Sequence, residues 1–491
     1  MRRRSPVRRL LSLLPICLAL IAGAAHSVDE LPDFGDSAGA FISPDQEYKI
    51  GRAFVRDLRS KGVILDDPEL EVYLQGLGSR LASQADTQAN PFDFFIVQSP
   101  VLNAFAVPGG FIGVHTGLIR ETKSESELAG VLAHEISHVT QRHAARMFEA
   151  ASRLSIPSAV GMLGAILLGV VSPQAGQAAM AAMAAGQQQY ALNFTRANEQ
   201  EADRIGIQVM ARSGFNPQGM PDFFERMQTA NRYNDPASVP EFLRTHPVTT
   251  NRIAESRERA DAMKPSRYEE NPDFHLMRAK VIVVDAKEPR EAVNYYGESL
   301  RAGQFQNELV ARYGYALALT AAGDYGKARL QLDRLLEAEP GNVHFRLASA
   351  RLQVAQRAYK SALAIYDAIL HDYPEYLPAV LGKVETLLAA RDGKTARTVL
   401  RDYMTLHGSE PRTYRLLAEA EGMSGSKIES HIAQAEYYYG SGELGLAIEQ
   451  LKVAKDAPGI NYYQSERVQA RLDQLQKEFD EEKKEKDKNR F

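Results

Sequence analysis

His134-Glu135-Ile136-Ser137-His138 is the segment of this 491-residue chain with the clearest chemical potential. In a helix, residues i and i+4 project from one face, so both imidazoles can reach a single cation. Glu135 is offset by one position. It can address a water beside that cation without ligating it, as a general base should. Leu128, Val131, Leu132 and Val139 give the same helix an apolar face. The pattern predicts one long amphipathic helix from Glu125 to about Ala150, with acids in its first turn and Arg142, His143 and Arg146 near its end.

Two histidines leave a catalytic Zn²⁺ one protein ligand short. His143 does not supply the third at the spacing of a three-histidine zinc motif, because Gln141 and Ala144 stand where that motif needs Gly and His. It reads instead as a cation at a helix C-terminus. Asn198-Glu199-Gln200-Glu201-Ala202-Asp203 begins a second helix. Glu199 and Asp203 share a face at i, i+4. This predicts Glu199 as the third ligand and Asp203 as the acceptor that orients a ligating imidazole, His134 ahead of His138. Glu201 points elsewhere; it is the alternative ligand, or else solvated or paired with an arginine. The cofactor expected is one Zn²⁺ per chain.

The elements around these helices read as mixed up to about Ala260. Phe92 to Gln98 and Phe111 to His115 are short β-rich runs bounded by Pro and Gly. Ile156 to Val171 is strongly apolar but short for a membrane span, with Pro157 and several glycines. It reads as a buried helix pair or lid, the alternative being a hairpin in peripheral contact with a membrane. From about Asn271 the pattern is helical and repeats. Tyr325 and Tyr359, Ala328 and Ala362, and Pro340 and Pro374 share one spacing, the period of a tetratricopeptide repeat. Ala396 keeps that register. Gly442 to Ala447 falls out of phase, which predicts an insertion near His407 to Ser426. Such a solenoid binds proteins or peptides without specifying which.

The N-terminus has a basic start, Met1 to Arg9, an apolar run from Leu10 to about Ala22, and the small residues Ala22-Gly23-Ala24. This is a secretory signal pattern, with an N-terminal anchor as the alternative. Cys17, the only cysteine, lies within it after Ile16, so the exported chain has no disulfide and its metal chemistry rests on His and carboxylate. Losing the leader's five arginines leaves 53 basic against 62 acidic residues. That balance excludes a basic footprint for nucleic acid.

His134-Glu-Ile-Ser-His138, Glu199-x-x-x-Asp203 and the upstream Asn103-Ala-Phe-Ala-Val-Pro-Gly-Gly110 resemble the M48 family of zinc metallopeptidases. With the leader and the repeats, the chain is similar to a periplasmic branch of that family. The resemblance implies a Gram-negative periplasmic endopeptidase that degrades misfolded or misassembled outer-membrane proteins and aids their assembly. It also implies contacts of the repeats with such clients or with the β-barrel assembly machinery, and an edge strand after Asn103 that pairs with substrate. His246, in Arg244-Thr-His-Pro-Val-Thr-Thr-Asn-Arg252, also fits the branch. It is expected to be an inhibitory fourth ligand or a donor to the oxyanion, with a structural loop role as the alternative.

The fold expected is α+β and mainly helical, a zincin-type peptidase domain followed by an all-α tetratricopeptide solenoid. The divisions expected are a signal peptide at 1–25, the peptidase domain at 26–265, the repeats at 266–475 and a charged tail at 476–491. In the catalytic assignment, Glu135 is the base, Asp203 and His246 support it, and His134, His138 and Glu199 bind the metal. The rival reading is an assembly chaperone in which proteolysis is latent or secondary.

Overall fold

The computed structural model describes residues 42–85, 91–153, 185–232, 240–263, 268 and 270–488. The expected leader and the apolar stretch at 156–171 lie outside these residues. Among those described, no helix is long and apolar enough to cross a membrane.

Helix α1 (Pro44–Ser60) begins at a capping box, in which Ser43 accepts from the Gln46 amide and Gln46 reaches back to Ser43. Helix α2 (Pro68–Ala82) starts at Asp67, whose side chain accepts from the Glu69 and Leu70 amides. Three strands follow, β1 (Asp93–Val97), β2 (Ala104–Val107) and β3 (Phe111–His115). They form a small sheet in the order β1-β3-β2. β3 pairs parallel with β1 and antiparallel with β2. It is buried along its whole length, as a central strand should be. Both strands expected from the sequence are present, and Asn103 leads into the third.

After the short α3 (Thr116–Glu121), Ser124 caps α4 (Glu125–Thr140), with Glu125 and Glu127 in its first turn. α4 is the axis of the domain and is buried from Glu125 to Ser137. The single long helix expected here is broken. Arg142 adopts a left-handed conformation with φ 50°, and α5 (His143–Arg153) starts directly after it. α6 (Ala185–Arg212), α7 (Gly219–Arg232), α8 (Glu241–Thr245) and α9 (Thr250–Ala262) complete this region. α6 and α7 both pack on α4. The α4–α6 crossing is close at a glycine. A Cβ on Gly206 would stand 3.2 Å from the backbone nitrogen of His134 and 2.9 Å from the Met220 side chain.

The remaining chain is a stack of antiparallel helix pairs: α10 (Pro272–Val284), α11 (Pro289–Ala302), α12 (Glu308–Ala321), α13 (Tyr325–Ala338), α14 (Val343–Ala355), α15 (Tyr359–Asp372), α16 (Leu377–Ala389), α17 (Gly393–His407), α18 (Pro411–Met423), α19 (Lys427–Gly440), α20 (Leu444–Lys455) and α21 (Tyr462–Lys488). Here the expected insertion is overturned. The repeat register passes unbroken from Ala328, Ala362 and Ala396 to Ser430, which lies in α19 and donates to the Ala418 carbonyl. α18 and α19 therefore form a regular pair with serine in place of alanine. Gly442 to Ala447 opens the first helix of the next pair rather than the second.

The two regions share a core. One cluster of buried side chains runs from Leu70 and Leu132 through Phe274 and Tyr313 to Phe345 and Leu352. The far end of the solenoid returns to α1 and α2. Arg412 pairs with Asp66 and Glu71, Arg56 with Glu478, and the Tyr439 ring lies 4.4 Å from both the Arg56 and Arg471 guanidiniums. A cavity of about 580 Å³ remains between the regions, lined in part by Arg59, Asp93, Glu410 and Tyr437. None of the zinc-motif residues lines it.

Candidate metal centre

α4 presents His134 and His138 one turn apart, and α6 brings Glu199 against them. Their tip atoms converge. His138 Nε2 is 3.0 Å from His134 Nε2, and Glu199 stands 3.4 Å from His134 Nε2 and 3.5 Å from His138 Nε2. His246, at the C-terminal end of α8, joins from the other side. Its Nδ1 is 3.1 Å from Glu199 and 3.3 Å from His134 Nε2. Its Nε2 is 3.3 Å from Glu135 Oε1. These four residues, His134, His138, Glu199 and His246, form a group able to hold a metal ion.

The spacing tests the fit. Zn²⁺ holds nitrogen and oxygen at about 2.0–2.2 Å in a tetrahedron, which places neighbouring donors about 3.3–3.6 Å apart. Four of the separations, at 3.0–3.5 Å, lie close to that edge, and all four donor atoms lie within 4.8 Å of one another. The atoms are also acceptors facing acceptors, since two imidazole nitrogens and a carboxylate turn lone pairs toward one point. In a site this buried that arrangement is unfavourable without a cation or proton among them.

The profile of "Peptidase family M48" matches residues 68–260, and a tetratricopeptide-repeat profile matches 353–420. The "Beta-barrel assembly-enhancing protease" of Escherichia coli (strain K12) is 38% identical over 452 residues, 92% of each chain. That of Yersinia pestis is 38% identical over 457 residues, 93% of each chain. The chain belongs to peptidase family M48. The human mitochondrial metalloendopeptidase OMA1 is 29% identical over 161 residues, 32% of this chain and 30% of its own. This M48 protein is thus a metallopeptidase with a C-terminal tetratricopeptide region, and its metal is zinc.

The M48 centre is backed by a second set of contacts. His134 Nδ1 stands 2.9 Å from Asp203 Oδ1, so the expected pairing of Asp203 with His134 is the one present. Arg252, from α9, takes a part that the sequence does not assign it. It is 3% exposed, grips Asp203 through Nε at 2.7 Å and Nη2 at 2.8 Å, and reaches Glu199 at 2.9 Å. It offsets one of the buried negative charges and fixes both carboxylates. Burial alone would lower the pKa of His134, but Asp203 and Glu199 outweigh it and raise the value to about 10. Burial and the neighbouring His134 drive His138 well below its ordinary range.

His143 differs from its expected role. It is not a helix-end cation in water but a buried ring, 4% exposed, with Nδ1 2.8 Å from His138 Nδ1. Its Nε2 is 3.1 Å from Glu201. Burial lowers the pKa of His143. Glu201 is absent from the converging group and pairs with Arg146 at 2.8 Å, as one of its expected roles had it. Arg252 stands in the segment that resembles the family, but its contacts and that of His143 are not written in local spacing, because both depend on how distant segments cross.

Proposed function

We propose that this M48 chain is a periplasmic zinc endopeptidase that removes misfolded or misassembled outer-membrane β-barrel proteins and aids their assembly. The convergence of His134, His138, Glu199 and His246 beside Glu135 carries this reading. The relatives' printed names support its link to β-barrel assembly. The leader pattern in the sequence supports export. In this reading the peptidase unit spans 26–265, and the repeats at 266–475 hold clients or the β-barrel assembly machinery near the cleft.

His134, His138 and Glu199 would hold the ion. Zinc, when bound, supplies Lewis acidity that polarises the scissile carbonyl and makes water a better nucleophile near neutral pH. Glu135, 1% exposed, takes the proton from the attacking water and delivers it to the leaving amine. Asp203, held by Arg252, fixes the His134 ring so that Nε2 faces the ion. His246 contacts both Glu199 and the base Glu135, so it closes the site and keeps the base occupied. That contact favours a latent peptidase that opens when the segment carrying His246 moves.

Two substitutions test the assignment. Glu135→Gln is expected to keep zinc and fold while lowering cleavage of an unfolded β-barrel substrate about 10²–10⁴-fold. Full cleavage by that variant would remove Glu135 from the mechanism. His246→Ala is expected to weaken zinc binding and raise cleavage; a fall in cleavage would instead make His246 a transition-state donor. If a cell lacking the gene is fully rescued by Glu135→Gln, the scaffold role outweighs proteolysis.

A further inference from the structure

Among the described residues, the outer nitrogen of the ligand His138 meets neither a carboxylate nor a backbone carbonyl. With Nε2 turned into the donor group, its Nδ1 must carry the proton. The nearest partner is His143 Nδ1 at 2.8 Å, a hydrogen-bond distance. Two N–H groups cannot face each other at that separation, so His143 presents a lone pair there and carries its proton on Nε2. That nitrogen stands 3.1 Å from Glu201 Oε2. Each contact determines the next, from the carboxylate through both rings to the ligating atom.

The backbone is shaped to make this contact. In a continuous helix, residues five apart point to different faces. Arg142, a non-glycine residue at φ 50°, breaks the helix between the two histidines and folds His143 back onto His138. Left-handed backbone at a residue with a Cβ is strained and persists where the surroundings enforce it. Here Arg142 Nη2 donates to the Ile42 carbonyl at 2.7 Å, which ties the break to the start of α1.

We propose that His143 and Glu201 are positioning residues that orient His138 and raise its donor strength, so that each histidine ligand is backed by a carboxylate. His134 has Asp203 directly; His138 has Glu201 at one imidazole's remove. The proposal rests on the zinc-site reading above. It adds two residues to that site, neither of which touches the ion or the substrate.

The test is zinc affinity of the full chain, measured by competition with a chromogenic chelator, with circular dichroism as the fold check. Glu201→Gln, at a half-exposed position, is expected to bind zinc about 10-fold more weakly, and His143→Leu about 10–100-fold. His143→Gln, whose side-chain oxygen can accept from His138 Nδ1, should recover part of the loss. In turnover, kcat should fall in Glu201→Gln with KM unchanged. Arg146→Met removes the other partner of Glu201 and should stay within about twofold in affinity. Wild-type affinity in Glu201→Gln overturns the proposal. So does an equal loss in Arg146→Met, which would show that bracing of α5 against α6 is what matters. Glu199→Ala separates the two readings: if it also keeps full zinc affinity, the metal site itself is misassigned.

Discussion

Among the described residues, the metal centre and the surroundings of Glu69 are clusters of buried charge built on opposite principles. At the metal centre, His134, His138, Glu199 and His246 turn acceptors toward one another. At the joint between α2 and the solenoid, one acceptor is surrounded by donors. Glu69 has a fully buried side chain, with Lys280 at 2.6 Å, Arg351 at 2.8 Å and His344 at 2.6 Å. Burial would raise its pKa, but Lys280 and Arg351 outweigh that and hold the carboxyl well below its ordinary range. Burial and perturbed ionisation are common to both clusters, so neither identifies a reactive site. What separates them is whether the polar atoms satisfy each other. The Glu69 cluster is complete and fastens two regions. The zinc cluster turns its acceptors on one point, a geometry that suits a cation.

The contrast can be broken most directly by deleting one carboxylate from each. Glu199→Ala should fold yet retain no zinc after dialysis against a chelator, with cleavage at background. Glu69→Gln should do the reverse. Lys280 keeps Asp67 and His344 keeps Asp273, but Arg351 loses its ion-pair partner, so a cost of about 3–5 kcal/mol is expected, read as a lower urea midpoint, while the folded fraction binds zinc normally. Loss of zinc affinity in folded Glu69→Gln would mean that the two clusters are not independent.

A smaller effect is expected from pH. Burial lowers the pKa of His344, but hydrogen bonds to Asp273 and Glu69 outweigh it and raise the value to about 9. The folded value lies above the ordinary one, so this contribution is fully present below about pH 6.5 and is lost as pH rises through about 9. On the order of 1–3 kcal/mol should disappear across that window. His344→Gln should flatten this part of the stability profile; an unchanged slope would mean that His344 carries no buried charge. Smallest of all, Tyr313→Phe removes a hydroxyl 3.4 Å from Glu69 and should cost about 0.5–1.5 kcal/mol.

The parts of the site visible in the sequence are those written in helical spacing. His134 and His138, and Glu199 and Asp203, are each one turn apart, and no knowledge of tertiary packing is needed to pair them. His246 was visible only through resemblance, since nothing local singles it out. The Arg252 contacts and the His143–Glu201 contact were hidden because they join α6 to α9 and to α5. The break that aims His143 is made at an arginine, where no glycine marks it. The same limit applies in the solenoid. Alanine and tyrosine announced the repeat at Ala328 and Tyr325, but Ser430 fills the small position in another residue type. Ser430 packs at the helix contact as alanine would and satisfies its hydroxyl on the Ala418 carbonyl, so the geometry persists after the composition has changed.

The core shared by the two regions also bears on how the chain is made. Leu70 and Leu132 belong to the same cluster as Phe345 and Leu352. A chain growing from its N-terminus therefore completes its zinc helices more than a hundred residues before the last side chains that cover their surroundings. Until α14 arrives, the region ending near 265 exposes apolar surface and lacks the partners of Glu69. A nascent protease of this design is itself an unfinished protein. A truncation after α9 should therefore yield an aggregating fragment rather than an unregulated cutter.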